Sequence, residues 1–239
     1  MPDVDRLAGV EQLEGVASGF AATRDGIDTM LRGRGLRQTS PELTAESLLR
    51  GASASAALAG SSSTLEEVRA GTADATGQAA LRLSVELLGL VPVFSRTPLQ
   101  ALARMHTVAV ARSVPDDQAG RPRDATAAAR LREVAALLQA DRPALVTAAL
   151  VHAELVTAAP FGSADGLVAR GAERLVLVSS GLDAKSLVVP EAGHLALRPS
   201  YESTLRAYAA GGRAGIHAWL LHCTSAYAAG AEAGPLGGD

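Results

Sequence analysis

The sequence predicts an all-α protein, and three observations carry that prediction. Ala, Leu and Val dominate a chain that is 48% hydrophobic and only 3% aromatic, a composition suited to close-packed helices rather than a β-sandwich. Apolar residues recur at helical spacing in one segment after another. Proline and glycine fall mostly at the ends of those segments.

In chain order, residues 5–33 alternate charged and small side chains and read as one or two surface helices. Ser40-Pro41-Glu42 starts a helix with proline in the tolerated first turn, and the run extends to about Ala59. GSSSTLEEV restarts a helix, with Ser63 or Thr64 as cap and Glu66 and Glu67 facing the positive end of its dipole. Over 73–90, Leu81, Val85 and Leu88 define one helical face, and Pro92 ends the run. Pro98 opens LQALARMHTVAVA, and SVPDDQAGRPRD, 113–124, is a polar, turn-rich loop. In 125–139, Leu131, Val134, Ala135 and Leu138 fall at i, i+3, i+4 and i+7.

Pro143 then opens ALVTAALVHAELVTAA, apolar nearly all round and therefore expected at the centre of the molecule. A second buried helix, GLVARGAERLVLVSS, follows a short loop of small residues. KSLVVPEAGHLALRP, 185–199, reads as irregular or briefly extended. Ser200 begins SYESTLRAYAAGG, stopped by Gly211-Gly212. The last helix, 214–229, gathers Ile216, Trp219, Leu220, Cys223 and Tyr227 on one side, and AGAEAGPLGGD reads as a frayed tail. There is no internal repeat and no low-complexity linker. The expected organisation is an N-terminal helical extension at 1–38, one helical domain at 39–230 and a flexible tail at 231–239.

Composition also excludes. The 239 residues carry a net charge of −3, so no overall basic surface points to nucleic acid. A single cysteine, Cys223, allows neither an internal disulfide nor a cysteine-based zinc site, and its apolar face makes it a core residue. The opening MPDVDRLAG is acidic and polar, unlike a signal peptide. The apolar stretch 144–159 is shorter than a bilayer span of about 20 residues and carries His152 and Glu154. The expectation is a soluble cytoplasmic protein with neither nucleic acid nor membrane as partner. Lys185 is the only lysine, and arginine preference with abundant Ala and Gly suggests a GC-rich bacterial genome.

The loop between the two central helices is the candidate site. In APFGSADGLVAR, 159–170, the second helix turns free N–H groups and its positive dipole end toward the loop. Gly162, Ala164 and Gly166 permit close approach of a ligand, and Arg170 lies one turn into the helix. Gly166 and Arg170 are the candidate anion-binding positions.

This stretch resembles the active loop of the Fic (Fido) family, H-P-F-x-[DE]-G-N-G-R-x-x-R. Pro160 and Phe161 match its Pro-Phe pair, Gly166 one of its glycines and Arg170 its final arginine. AALVHAEL before the loop, SYESTLRAY after it and the closing Trp219-containing helix are also similar to Fic proteins. Upstream, SAALAG, from Ser55 to Gly60, stands where one Fic class carries an inhibitory helix of the form [ST]-x-x-x-E-[GN]. The similarity covers roughly 40–230 and implies a Fic-like helical bundle whose central buried helix pair is joined by the active loop.

The resemblance also marks what is missing. Ala159 replaces the family's general-base histidine, and an alanine takes no proton, a loss worth about a hundredfold or more in rate. Ser163 replaces the acidic magnesium ligand, Ala164 a glycine, Asp165 the asparagine of the anion cradle and Leu167 the first arginine. Ala59 replaces the inhibitory glutamate, so the motif Ser55, Ala59, Gly60 is degenerate as well. Asp165 is expected to cap the following helix and fill the N–H groups that otherwise bind phosphate.

The resemblance therefore implies a degenerate, actinobacterial-type pseudoenzyme. It would bind a protein partner or small ligand in the Fic groove, with no catalytic residue, metal or cofactor. The alternative is a nucleotidyl- or phosphoryl-transferase resembling a protein adenylyltransferase. That enzyme would use ATP with Mg and a non-standard base such as His106 or His194.

The remaining candidates have structural readings. His152 lies seven residues before Ala159, about 10 Å along the axis, and reads as a hydrogen-bonded core histidine. His106, His194, His217 and His222 are scattered in sequence, and the five-residue spacing of the last two is poor for a metal. Arg170 reads as a structural ion pair with Asp165 or Glu173. Arg121 and Arg123, where the family has its target-docking flap, read as solvated loop charges. AGGRAGIHAW follows no strand and is no dinucleotide fingerprint.

Overall fold

The computed structural model of the chain describes residues 6–35, 40–111 and 113–237. The outer residues of the expected extension and tail, and 36–39 between α1 and α2, lie outside them. The helices are α1 (Val16–Met30), α2 (Pro41–Leu58), α3 (Leu65–Ala70), α4 (Ala75–Leu87), α5 (Val91–Arg96), α6 (Pro98–Ala109), α7 (Ala125–Gln139), α8 (Ala144–Ala158), α9 (Asp165–Ser179), α10 (Pro190–Ala196), α11 (Arg198–Ala210) and α12 (Arg213–Glu232). The described residues contain no strand, as the composition predicts.

α8 and α9 form the axis of the bundle. Every residue from Leu145 to Leu155 in α8, and from Leu167 to Leu177 in α9, is buried. Helices α4, α5 and α6 pack on α9, α7, α11 and α12 pack on α8, and α1 lies along α12. Trp219 of α12 donates its indole N–H to the Ala149 carbonyl at 2.7 Å, tying the outer layer to the axis.

Local signals hold at several boundaries. Thr64 caps α3 by accepting from the Glu67 N–H, while the Glu67 carboxylate accepts from the Thr64 N–H, a complete capping box. Pro41 and Pro98 occupy the first turns of α2 and α6. Three expectations are corrected. The buried face of α4 is Ala79, Ala80, Leu83 and Leu87, whereas Val85 is 76% exposed. Ser84 of this face donates to the Leu48 carbonyl of α2 at 2.8 Å, while Leu81 packs only at the edge of the core. Pro92 does not end the run: one 3-10 turn at Leu88–Leu90 leads into α5, whose first turn holds the proline.

The third correction is α10, inside a segment read as irregular. Residues 186–189 are indeed irregular, with Ser186 in the left-handed region (φ 53°), and are pinned by Asp183 accepting the Leu187 and Val188 N–H groups at 2.9 and 2.7 Å. Pro190 then starts a short helix. Gly193 lets that helix lie directly on the α12 backbone at Ala226, where any Cβ would collide. This contact delivers His194 to the core.

One run, Ala75–Arg96, is long and apolar enough by length and composition to cross a membrane, at a mean hydropathy of 1.3. It is interrupted by the 3-10 turn, carries Arg82 and Glu86, and packs on α2 and α6.

Candidate functional site

The loop leaves α8 and enters α9 through three left-handed residues, Ala159 (φ 42°), Gly162 (φ 77°) and Ala164 (φ 51°). Two of them are alanines, which adopt this region at a cost of about 1–2 kcal/mol each. Pro160 and Phe161 are buried beneath the loop. The Phe161 ring stacks on His106 of α6, with centroids 4.4 Å apart and planes 9° from parallel. His106 Nε2 lies 3.2 Å from Ser163 Oγ, and Nδ1 accepts the Gly120 N–H at 2.9 Å. That second bond sets the tautomer: in the neutral ring the proton is on Nε2, directed at Ser163. Burial pushes the His106 pKa below its ordinary value, so the ring is held neutral.

Asp165 does not cap α9. It is the first residue of the helix, and the preceding Ala164 has no capping side chain. The Asp165 carboxylate turns back and accepts the Phe161 N–H at 2.9 Å. It also faces the Gly162 N–H, which donates to the Ala159 carbonyl at 3.2 Å. Burial raises the Asp165 pKa, against the pull of these N–H groups and of Arg123. The carboxylate thus occupies the interior of the loop and sets a negative group at the start of α9, while the N–H groups of the first helical turn are left without a side-chain cap.

The segment before α7 is sewn onto this loop. The Arg123 N–H donates to the Pro160 carbonyl at 2.9 Å, and its guanidinium to the Ala158 carbonyl at 3.2 Å. Gly120 has φ +76°, and a Cβ there would press into Thr107 and the Ala103 carbonyl. Arg123 therefore holds the loop while its side chain stays about half exposed, and Arg121 is exposed as well.

Arg170 is buried, and each of its three guanidinium nitrogens donates one hydrogen bond within the protein. Nε donates to Ser55 Oγ at 2.8 Å, Nη2 to the Ser55 carbonyl at 2.9 Å and Nη1 to the Tyr201 hydroxyl at 3.2 Å. Its partners are thus Ser55 and Tyr201, not the expected Asp165 or Glu173. Of the upstream motif, Ser55 meets Arg170 and Ala59 lines the groove beside it, while Gly60 lies exposed beyond α2. That groove, of about 750 Å³, is floored by Gly166, Leu167 and Arg170 and walled by Leu58, Val110 and Leu205.

A second cluster lies deeper in the same helix pair, and sequence reasoning missed it. Glu173 of α9, fully buried, accepts from His152 Nδ1 at 2.9 Å, His194 Nε2 at 3.1 Å and the Tyr227 hydroxyl at 2.8 Å. His152 Nε2 lies 3.0 Å from the Tyr201 hydroxyl, His194 Nδ1 lies 3.0 Å from His222 Nε2, and His222 Nδ1 lies 3.0 Å from Ser200 Oγ. One assignment of protons satisfies every contact: Glu173 ionised, and three neutral imidazoles each donating toward it. Burial alone would raise the Glu173 pKa, but His152 and His194 hold it well below the usual carboxylate range. Burial lowers His152, and burial with the neighbouring His194 lowers His222 to about 3.

The histidines at 152, 194 and 222, scattered in sequence, therefore converge, while His217 stays apart on the Glu14 carbonyl. The available signal was Glu173-Arg174 inside a helix read as buried: two charges without water require partners. Arg174 finds its own in Glu191, paired bidentately at 3.0 and 2.6 Å, with Ser47 and Ser186.

No protein-family model matches this sequence, and no curated protein does. Solved structures do match, and one of them gives the class of fold, the helical bundle of a Fic protein. This structure, a Fic family protein from Desulfovibrio desulfuricans G20, superposes with a TM-score of 0.73 over 92% of this chain and 74% of its own, at 18% identity. The chain is similar to that protein in fold.

Proposed function

We propose that the protein is a non-catalytic binding or regulatory module, a Fic-fold pseudoenzyme that receives a protein partner or small ligand in the groove beside 159–170. The observation that carries this reading is the Asp165 carboxylate hydrogen-bonded inside the loop at the start of α9. It places negative charge where a phosphate would have to sit. The neighbouring residues agree: Ala159 offers no base, Ser163 no carboxylate for magnesium and Leu167 no cation, and Arg170 is held by Ser55 and Tyr201. Magnesium-ATP does not fit this donor set. The groove volume lies in the ordinary range for small-ligand sites, roughly 300–1,000 Å³. A cytoplasmic location accompanies the proposal.

A second reading has one observation in its favour. His106 stands at the loop, within 3.2 Å of Ser163, and is the non-standard base that an adenylyltransferase-like enzyme would need. Its Nδ1 lone pair is taken by Gly120, so the neutral ring presents a proton rather than a lone pair toward the loop. His194, the other candidate, is enclosed with Glu173 and His222.

The test is incubation with labelled nucleoside triphosphates and cell lysate, comparing the wild type with Ala159→His. Neither should transfer label, because Ser163, Asp165 and Leu167 remain in both. Labelling by the wild type, or micromolar ATP binding at the loop by titration calorimetry, overturns the non-catalytic assignment.

A further inference from the structure

The most unusual chemistry in the molecule lies outside the groove, and the groove reading does not use it. His152, Glu173 and His194 come from three different helices, are fully enclosed, and place one ligand atom each within 4.8 Å of one another. We infer that this cluster is a site for a divalent first-row transition ion, zinc foremost, held by His152 Nδ1, the Glu173 carboxylate and His194 Nε2.

Ligand chemistry and spacing both point there. Two imidazoles and one carboxylate are a recurrent donor set for zinc and its neighbours. Bonds of about 2.1 Å at tetrahedral angles set neighbouring ligand atoms about 3.4 Å apart. The carboxylate already stands 2.9 Å from His152 Nδ1 and 3.1 Å from His194 Nε2. Only the span between the two imidazoles needs to shorten, by a swing of the rings. Their rings meet edge to face at 4.8 Å between centroids, an arrangement that leaves the two nitrogens converging on one carboxylate.

The outer partners supply the second argument. A metal-bound imidazole needs a fixed partner for its remote nitrogen. Here Tyr201 stands on His152 Nε2 and His222 on His194 Nδ1. Without the ion, both inner nitrogens carry protons toward Glu173. With the ion, each imidazole carries its proton on the outer nitrogen instead. His152 then donates to the Tyr201 oxygen and His194 to His222 Nε2. The His222 proton moves to Nδ1, facing Ser200 Oγ. No net proton is gained or lost, because each imidazole stays neutral and only changes which nitrogen carries its proton; the Tyr201 and Ser200 oxygens turn from donors to these rings into acceptors, Tyr201 keeping the Arg170 Nη1 bond as well. Another buried acid, Asp183, is fixed by backbone N–H groups, which only donate, and offers no such reversal.

The test uses the full chain purified without a histidine tag. Dialysed against zinc and then against metal-free buffer, it should retain about one ion per chain, and cobalt in its place should show tetrahedral visible bands. X-ray absorption at the metal edge, which needs no variant to fold, should report two imidazole nitrogens and carboxylate oxygen. Glu173→Gln should lose the retained ion, His222→Ala should weaken binding about 10–100-fold, and His217→Ala should change nothing. No retained ion, a shell without paired imidazoles, or a folded Glu173→Gln that keeps its ion each overturns the inference.

Discussion

At the loop end of α8 and α9, the Asp165 carboxylate is met by backbone N–H groups and the half-exposed Arg123. Eight residues further into α9, about 12 Å along the axis, the Glu173 carboxylate is met by two histidines and a tyrosine with no water in reach. The same two helices thus carry one acid satisfied locally and one satisfied by side chains from α8, α10 and α12. Arg170 stands between the two and, through Tyr201, touches the inner network. The difference teaches where this bundle keeps its ionisable chemistry. The loop keeps its own carboxylate inside it, hydrogen-bonded to the Phe161 N–H at the start of α9. The titratable residues lie instead at the helix centres, where a change in one side chain is felt by three others.

The largest break in that contrast should come from Glu173→Gln. The amide keeps the volume but faces the N–H groups of His152 and His194 with one acceptor fewer and two extra donors. Removing one partner of a fully buried charged network costs roughly 3–5 kcal/mol. Denaturant unfolding followed by circular dichroism should show that loss. A change below about 1 kcal/mol would mean that water or another group satisfies the histidines.

A smaller effect is expected at the other acid. Asp165→Ala removes one charge-assisted hydrogen bond and a favourable charge at the start of α9, a loss of about 1–2 kcal/mol. In exchange, the Phe161 N–H loses its partner and the negative group leaves the helix start. Sulfate or pyrophosphate should then bind measurably to the variant by calorimetry and not to the wild type. Equal weak binding to both would show that Asp165 is not what empties the loop of anions.

Much of this contrast was legible in the sequence at the loop and little of it in the core. The buried pair α8–α9, the helix starts at Thr64 and Pro98, and the altered loop residues could be read because each depends on neighbours within a few positions. Glu173 could be suspected of needing partners, but its partners are 21 and 54 residues away in chain. His194 was hidden further by α10, whose seven residues show no helical repeat. Its position follows from the contact of Gly193 with α12, which no local pattern records. The turn of Asp165 back into the loop escaped for a related reason. Capping preference placed it before the helix, whereas the left-handed Ala164 starts the helix one residue earlier and swings the carboxylate inward.

The smallest expected effect sharpens the loop side of the comparison through pH. His106 is held neutral by burial, with its folded pKa below the 6.5 of a free imidazole. Below that pH the unfolded chain takes up a proton that the folded ring refuses, so the unfolded state binds more protons and stability falls with falling pH. The contribution is complete above 6.5 and is lost as pH drops from there through the lower, folded value. Protonation also ends acceptance of the Gly120 N–H by Nδ1 and loosens the segment around Gly120 from α6. The Gly120 amide resonance should therefore shift as pH is lowered below 6.5, with the Thr64 amide, bonded to Glu67 far from the loop, as a reference. His106→Gln should flatten the difference in stability between neutral and mildly acidic buffer relative to the wild type. An unchanged slope would place the acid sensitivity wholly in the inner network and leave the loop indifferent to protons.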